Sequence, residues 1–182
     1  MKDNIVLIGF MGCGKTTVGK ALAEKLSYGF LDTDQYIEEK ENRTISGIFD
    51  EKGEEYFRVL ETKSLEELVE HTERTIVSSG GGLPLREQNA KLLQKLGFVI
   101  YLKVKKETVV ERLKGDDSRP LLQCEEPEKK IEELLEYRNP IYEVGAHLVI
   151  EVDDRTVEDI AEEIVRNYNI LQKKEGVCED EI

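Results

Sequence analysis

The chain has 182 residues, 39 of them acidic against 26 basic, for a net charge of −13. That length suits one domain with a self-sufficient core, and the acidic balance argues against a nucleic-acid or anionic-membrane partner, so any anionic ligand has to be held by locally placed arginines and lysines. Cys13, Cys124 and Cys178 have neither metal-ligand nor C-x-x-C spacing, no apolar run reaches the roughly 18 residues of a membrane span, and no signal peptide is visible, so a cytoplasmic chain with reduced cysteines is expected.

Ile5-Val6-Leu7-Ile8 is an uninterrupted, largely β-branched run of the kind found in strands buried on both faces. It leads into Gly9-Phe10-Met11-Gly12-Cys13-Gly14-Lys15-Thr16, which fits the G-x-x-x-x-G-K-[ST] phosphate-binding pattern, and Val18, Ala21, Leu22 and Leu26 follow at helical spacing. Strand, loop and helix in this order predict nucleotide binding. The glycines let the backbone turn sharply so that successive N–H groups and a helix N-terminus face a phosphate. Lys15 adds a mobile cation and Thr16 a hydroxyl for Mg²⁺.

Phe30-Leu31-Asp32 reads as a second strand, and Asp32-Thr33-Asp34 places two carboxylates at the sheet edge where α/β folds bind ligands. They suit a site beside a nucleotide-bound Mg²⁺, with Asp34 as a helix N-cap the simpler alternative. From 37 to 71 the pattern is helical, with Ser46 as a candidate cap and Gly53 as a break. Phe57, Leu60, Leu65, Leu68 and Val69 form an apolar face there, and Arg58 and Glu61, three apart on a neighbouring face, are either a surface ion pair or ligand groups.

Thr75 to Ser79 predicts a third strand that runs directly into Gly80-Gly81-Gly82. Three consecutive glycines are entropically costly to order, so they mark either a permissive turn or a place where something approaches the backbone closely. Phe98 to Leu102 is the fourth strand, after a helix ending near Gly97, and Val109 to Leu113 begins another helix. Residues 115–126 have the composition of a lid with Arg119 at its root, or of a disordered insertion. The helix from Pro127 carries Ile131, Leu134, Leu135 and Ile141, with Arg138 among these apolar positions, as a stem packed on the core or as a buried clamp. Leu148 to Ile150 is the fifth strand, Thr156 and Asp159 cap a last helix to about Leu171, and a frayed acidic tail is expected over 172–182. Five strands alternating with helices predict a three-layer α/β/α domain with a five-stranded parallel sheet over 1–171, including a helical insert at 34–71 and the lid.

Taken together, the phosphate loop with Thr17, Asp32-Thr33-Asp34, Phe57-Arg58 with Glu61, Gly80-Gly81-Gly82, Arg119-Pro120-Leu121 and Tyr137-Arg138 resemble the shikimate kinase family of small P-loop kinases, over Asn4 to Val165. The resemblance implies a P-loop NTPase fold of the nucleoside-monophosphate-kinase-like kind. It also implies ATP-dependent phosphorylation of a hydroxyl of shikimate to shikimate 3-phosphate, on the chorismate route to aromatic amino acids, by a monomer using Mg²⁺. By the same resemblance Lys15 neutralises the β and γ phosphates, Thr16 binds Mg²⁺, Asp32 holds a metal-bound water, Asp34 binds the acceptor hydroxyl and takes its proton, and Arg119 meets the transferring phosphoryl group. ATP is assigned to Gly12, Cys13, Gly14, Lys15, Thr16, Thr17, Arg112, Arg119 and Arg155, and shikimate to Asp34, Phe57, Arg58, Glu61, Gly80, Gly81, Gly82 and Arg138. The residue chemistry agrees: a carboxylate substrate suits the arginine pair Arg58 and Arg138, and its hydroxyls suit Asp34 and backbone N–H groups. A gluconate kinase shares the phosphate loop and an acidic sugar substrate. A regulatory nucleotide-binding protein would keep Lys15 and Thr16 but lack Asp34, Arg58 and Arg138, all of which this chain has.

Overall fold

The computed structural model of the chain describes residues 3–114 and 126–179, with side chains as far as residue 171. The lid expected at 115–126 thus falls almost wholly outside the described residues, and so does Arg119. Five strands, β1 (Ile5–Ile8), β2 (Gly29–Asp32), β3 (Thr75–Ser78), β4 (Phe98–Lys103) and β5 (Leu148–Glu151), form one parallel sheet in the order β2-β3-β1-β4-β5. Among the described residues eight α-helices accompany them: α1 (Lys15–Leu26), α2 (Thr33–Glu41), α3 (Ile45–Lys52), α4 (Glu54–His71), α5 (Glu87–Leu96), α6 (Lys106–Leu113), α7 (Pro127–Gly145) and α8 (Val157–Glu179). Right-handed crossovers that run outward from β1 to β2 and then back across the sheet to β5 put α1 on one face, with α8 packed on it, and α4, α5 and α7 on the other. The expected three layers result, and the apolar runs of β1 and β4 are almost completely buried between them.

Parallel register brings the carboxyl ends of the strands to one edge. Leu7 and Asp32 both pair with Ser78, and Ile8 pairs with Tyr101. The phosphate loop, Asp32 and the glycine triplet therefore leave the sheet side by side. At the opposite edge the register is held by Asn4, which is fully buried. Its Nδ2 donates to the carbonyls of Thr72 and Leu96, both at 2.8 Å, and its Oδ1 accepts from the Thr75 N–H at 3.1 Å. One side chain thus ties the start of β1 to the ends of α4 and α5 and to the start of β3. A Cβ on Gly97 would lie 2.3 Å from the Asn4 carbonyl oxygen, which accounts for glycine there.

Local chemistry departs from the sequence expectation at several ends. The cap of α3 is Thr44, whose hydroxyl accepts from the Gly47 N–H, and Ser46 lies inside the helix. The cap of α2 is Asp32, which accepts from the N–H groups of Asp34 and Gln35, so Asp34 sits in the first turn and is not the cap. Helix α8 starts with the expected Thr156–Asp159 pair but runs on to Glu179, past the end expected near Leu171. Gln172-Lys173-Lys174-Glu175 are good helix formers and no proline interrupts them. A second, smaller apolar cluster, Ile37, Ile48 and Phe57, sits between α2, α3 and α4, with the Phe49 ring edge-on to Phe57 at 5.0 Å.

Replacing Asn4 by alanine leaves two carbonyls and one N–H without their partner in the interior. Each buried unsatisfied group costs about 1–3 kcal/mol. We expect Asn4→Ala to lose at least about 3 kcal/mol of unfolding free energy in a urea titration; a loss below about 1 kcal/mol would show that water replaces these bonds.

Candidate active site

The cleft at the carboxyl edge starts from the phosphate loop. Gly12 and Gly14 have φ of 76° and 97°, in the region other residues avoid, and Gly14 begins α1 with no side-chain cap. The first N–H groups of α1 are thereby left for an anion. Lys15 lies across its own loop, with Nζ donating to the carbonyls of Gly9 (2.9 Å) and Phe10 (3.0 Å) and lying 3.7 Å from the buried Cys13 Sγ. Arg112 of α6 braces the loop by donating to the Gly12 carbonyl at 2.9 Å.

Thr16 and Asp32 meet where β1 and β2 end. The Thr16 hydroxyl donates to Asp32 Oδ2 at 3.3 Å, while the other carboxylate oxygen of Asp32 caps α2. Both residues line a cavity of about 950 Å³, whose walls also include the phosphate loop, Asp34, Ser79, Gly80, Gly81, Arg112 and Arg155. Arg155 is held by carbonyls of Glu151 and Asp159 and by Glu163 at 2.7 Å.

The glycine triplet is a close-approach device and not merely a permissive turn. A Cβ on Gly80 would lie 2.4 Å from Asp34 Oδ1, and one on Gly82 would lie 2.5 Å from a terminal nitrogen of Arg58. The two outer glycines thus make room for two of the predicted site residues. The Gly80 N–H donates to the buried Thr33 hydroxyl at 2.9 Å, which fixes the triplet against α2.

Arg58 is more than a surface ion-pair partner. Nη1 donates to Glu61 at 2.9 Å, and Nη2 and Nε reach Glu54 at 2.7 and 3.3 Å. Glu54 is exposed, but the Glu61 side chain is 1% accessible. Burial pushes the Glu61 carboxyl up to about 7, against the opposing pull of the Arg58 guanidinium. Arg138, 6% exposed, lies with its guanidinium 5.6 Å from the centre of the Phe10 ring, and its Nε has no hydrogen-bond partner among the described residues. A buried cationic N–H without an acceptor is costly, and an incoming anion would satisfy it.

Phosphate loop, Asp32, Asp34, Gly80, Gly81, Arg112 and Arg155 are therefore brought to one cavity, while Phe57, Arg58, Glu61, Gly82 and Arg138 stand outside its walls. Phe57 belongs to the small core, and it is Phe49 that faces the cleft. Such a cleft pairs a polyphosphate cradle with carboxylates and two arginines, Arg112 and Arg155, equipment suited to phosphoryl transfer.

Comparison with known proteins agrees. The family model for shikimate kinase matches residues 11–169. The chain belongs to the shikimate kinase family. It is 44% identical over 168 residues to a shikimate kinase of Thermodesulfovibrio yellowstonii, covering 92% of this chain and 96% of that one. It is 49% identical over 162 residues to one of a Sulfurihydrogenibium species, covering 89% and 95%. The solved structure of shikimate kinase from Acinetobacter baumannii in complex with shikimate superposes with a TM-score of 0.88 at 41% identity, over 96% of each chain. The sequence marks neither Phe49 nor Ser79 as a wall of the cleft, nor Thr33 as the support of the glycine triplet behind it. Thr33 did carry a signal, a hydroxyl enclosed by two aspartates, whereas Ser79, buried in the cavity wall with no partner for its hydroxyl among the described residues, had none.

Glu61 gives the stability of this chain a pH dependence of stated sign. Its carboxyl is raised from the ordinary 4.5 to about 7 in the folded chain, so the protonated form is the one folding favours. That contribution is fully present below 4.5 and is lost as pH rises through about 7. Urea stability measured from pH 5 to pH 8 is expected to fall more steeply in the wild type than in Glu61→Gln; parallel profiles would show that Arg58 keeps Glu61 ionised throughout.

Proposed function

We propose that the protein transfers the γ-phosphoryl group of ATP to a ring hydroxyl of shikimate, giving shikimate 3-phosphate on the route to aromatic amino acids. The observation that carries this reading is the glycine triplet packed between Asp34 and Arg58 beside an intact phosphate loop, in a chain of the shikimate kinase family.

Lys15 exchanges the Gly9 and Phe10 carbonyls for oxygens of the outer phosphates, while the N–H groups of residues 12–17 surround them. Thr16 and Asp32 offer a hydroxyl and a carboxylate within 3.3 Å of each other, a donor pair that fits Mg²⁺, which takes few protein oxygens and completes its shell with phosphate and water. When bound, the ion neutralises phosphate charge; Thr16 would ligate it directly and Asp32 through a water. Asp34 holds the acceptor hydroxyl and removes its proton. Arg58 and Arg138 clamp the substrate carboxylate. On Arg58 that carboxylate takes the Nε–Nη2 edge now covered by the exposed Glu54, while Glu61 continues to hold Nη1 from below. Arg112 and Arg155, in the cavity wall, neighbour the adenine end, and Phe57 supports Arg58 from the small core. Arg119, outside the described residues, is assigned to the phosphoryl group by the family resemblance alone. Among the described residues no helix is long and apolar enough to cross a membrane; work in the cytoplasm as a monomer is part of the proposal.

An ADP-release assay with shikimate against a panel of hydroxy acids including gluconate tests the reading, with shikimate expected to have the highest kcat/KM; gluconate in first place would overturn it. On the same assay, a folded Lys15→Ala protein is expected to lose turnover. Arg138→Ala and Arg58→Ala should raise shikimate KM about thirtyfold or more, since leaving a desolvated charge unmatched costs about 2–5 kcal/mol, with ATP KM nearly unchanged. Wild-type shikimate KM in both arginine variants would remove the carboxylate clamp.

A further inference from the structure

The sequence singled out Arg138 on α7, but the same helix carries a second buried polar group toward the site. Tyr142, one turn further on, is completely buried, and its hydroxyl donates to the Gly81 carbonyl at 2.6 Å. Gly81 is the middle of the triplet and the second residue of a tight turn, closed by the Leu83 N–H on the Gly80 carbonyl at 3.1 Å. In such a turn the central peptide, here Gly81–Gly82, is the one the turn itself does not fix. Because a peptide is planar and trans, a hydrogen bond that captures its carbonyl on one side directs its N–H to the other. The N–H groups of Gly81 and Gly82 have no partner among the described residues.

The place of Gly81 explains what is being fixed. A Cβ there would lie 3.5 Å from the Gly9 carbonyl oxygen, 3.8 Å from the Met11 nitrogen and 3.8 Å from the Tyr142 hydroxyl. The triplet is therefore held between the phosphate loop and α7, and Tyr142 supplies the polar contact from the α7 side. We propose that Tyr142 is a positioning residue for phosphoryl transfer: its hydroxyl pins the Gly81–Gly82 peptide against the phosphate loop, and so sets the acceptor at its distance from the donor phosphate. The inference rests on the kinase reading above. A purely structural role, satisfying a buried phenol, is what Tyr101 of β4 shows beside it: its ring lies 5.2 Å from that of Tyr142, it is equally buried, and its hydroxyl donates to Asn139 Oδ1 at 2.7 Å.

That neighbour provides the control. Tyr142→Phe and Tyr101→Phe each delete one buried hydroxyl from the same aromatic pair, and only the first frees Gly81. At 15 °C, with both variants checked for folding by circular dichroism, Tyr142→Phe is expected to lose about tenfold or more in kcat/KM for shikimate relative to Tyr101→Phe, the factor that corresponds to about 1.4 kcal/mol. ATP affinity by calorimetry should stay within about twofold of wild type in both, since the loop contacts are retained. Fluorotyrosine at position 142, which keeps the hydroxyl and the shape, should restore wild-type kinetics. Equal kinetics in the two phenylalanine variants would overturn the proposal, and so would a Tyr142→Phe protein that fails to fold at 15 °C, which would make the hydroxyl structural. Wild-type protein inactive on shikimate would instead sink the kinase reading and this inference with it.

Discussion

Parallel pairing of β1 with β3 on one side and β4 on the other is the constraint on which the site depends. In a parallel sheet every strand points its carboxyl end the same way, so the loops that follow are delivered to one edge without further instruction. The pairing of Leu7 and Asp32 with Ser78 decides that the phosphate loop, the Asp32-Thr33-Asp34 turn and the glycine triplet emerge at one level. A slip of one residue would turn alternate side chains to the opposite face and carry Asp32 away from Thr16. Asn4 guards against that slip from the far edge, since its three side-chain bonds can be made together in a single register.

Around that frame the cleft is built from polar groups with unequal access to water. Lys15 is half-buried and Thr16 exposed in the wall of the cleft, whereas Glu61 and Arg138 are buried and committed to fixed directions. Preorganisation of this kind lets charge developing in the reaction meet groups that need not reorient. Its cost shows in Glu61, which burial holds toward its neutral form, and in Arg138, whose Nε lacks an acceptor among the described residues.

How much of this could be read along the chain follows from the range of each interaction. All five strands were legible to within about a residue because their apolar runs are local signals, and the phosphate loop was legible because its function is written in consecutive residues. The spacing of Arg58 and Glu61 could not distinguish a surface pair from a buried one; the packing of α4 against α2 and α5 decides that. The meaning of the triplet was half legible: three glycines indicated close approach, but Asp34 and Arg58 as the approaching groups needed coordinates. Tyr142 was invisible because it acts on Gly81 across 61 positions of sequence and looks, on α7, like any core aromatic. Thr44 displaced Ser46 as a cap because two hydroxyls two residues apart give the same local signal, and only backbone geometry selects between them.

The small cluster of Ile37, Ile48 and Phe57 is separate from the main core. Three buried side chains hold α2, α3 and the start of α4 together without reaching the sheet, so this segment has a cohesion of its own, weaker than that of the body it stands on. Proteins open first where few apolar contacts are at stake, in contiguous cooperative units. Here such a unit carries Arg58, and Phe49 in the cleft wall, while the phosphate loop is rooted in β1 and the main core. Loosening of that unit would be felt at the phosphate loop through Asp32, whose carboxylate caps α2 with one oxygen and meets Thr16 with the other.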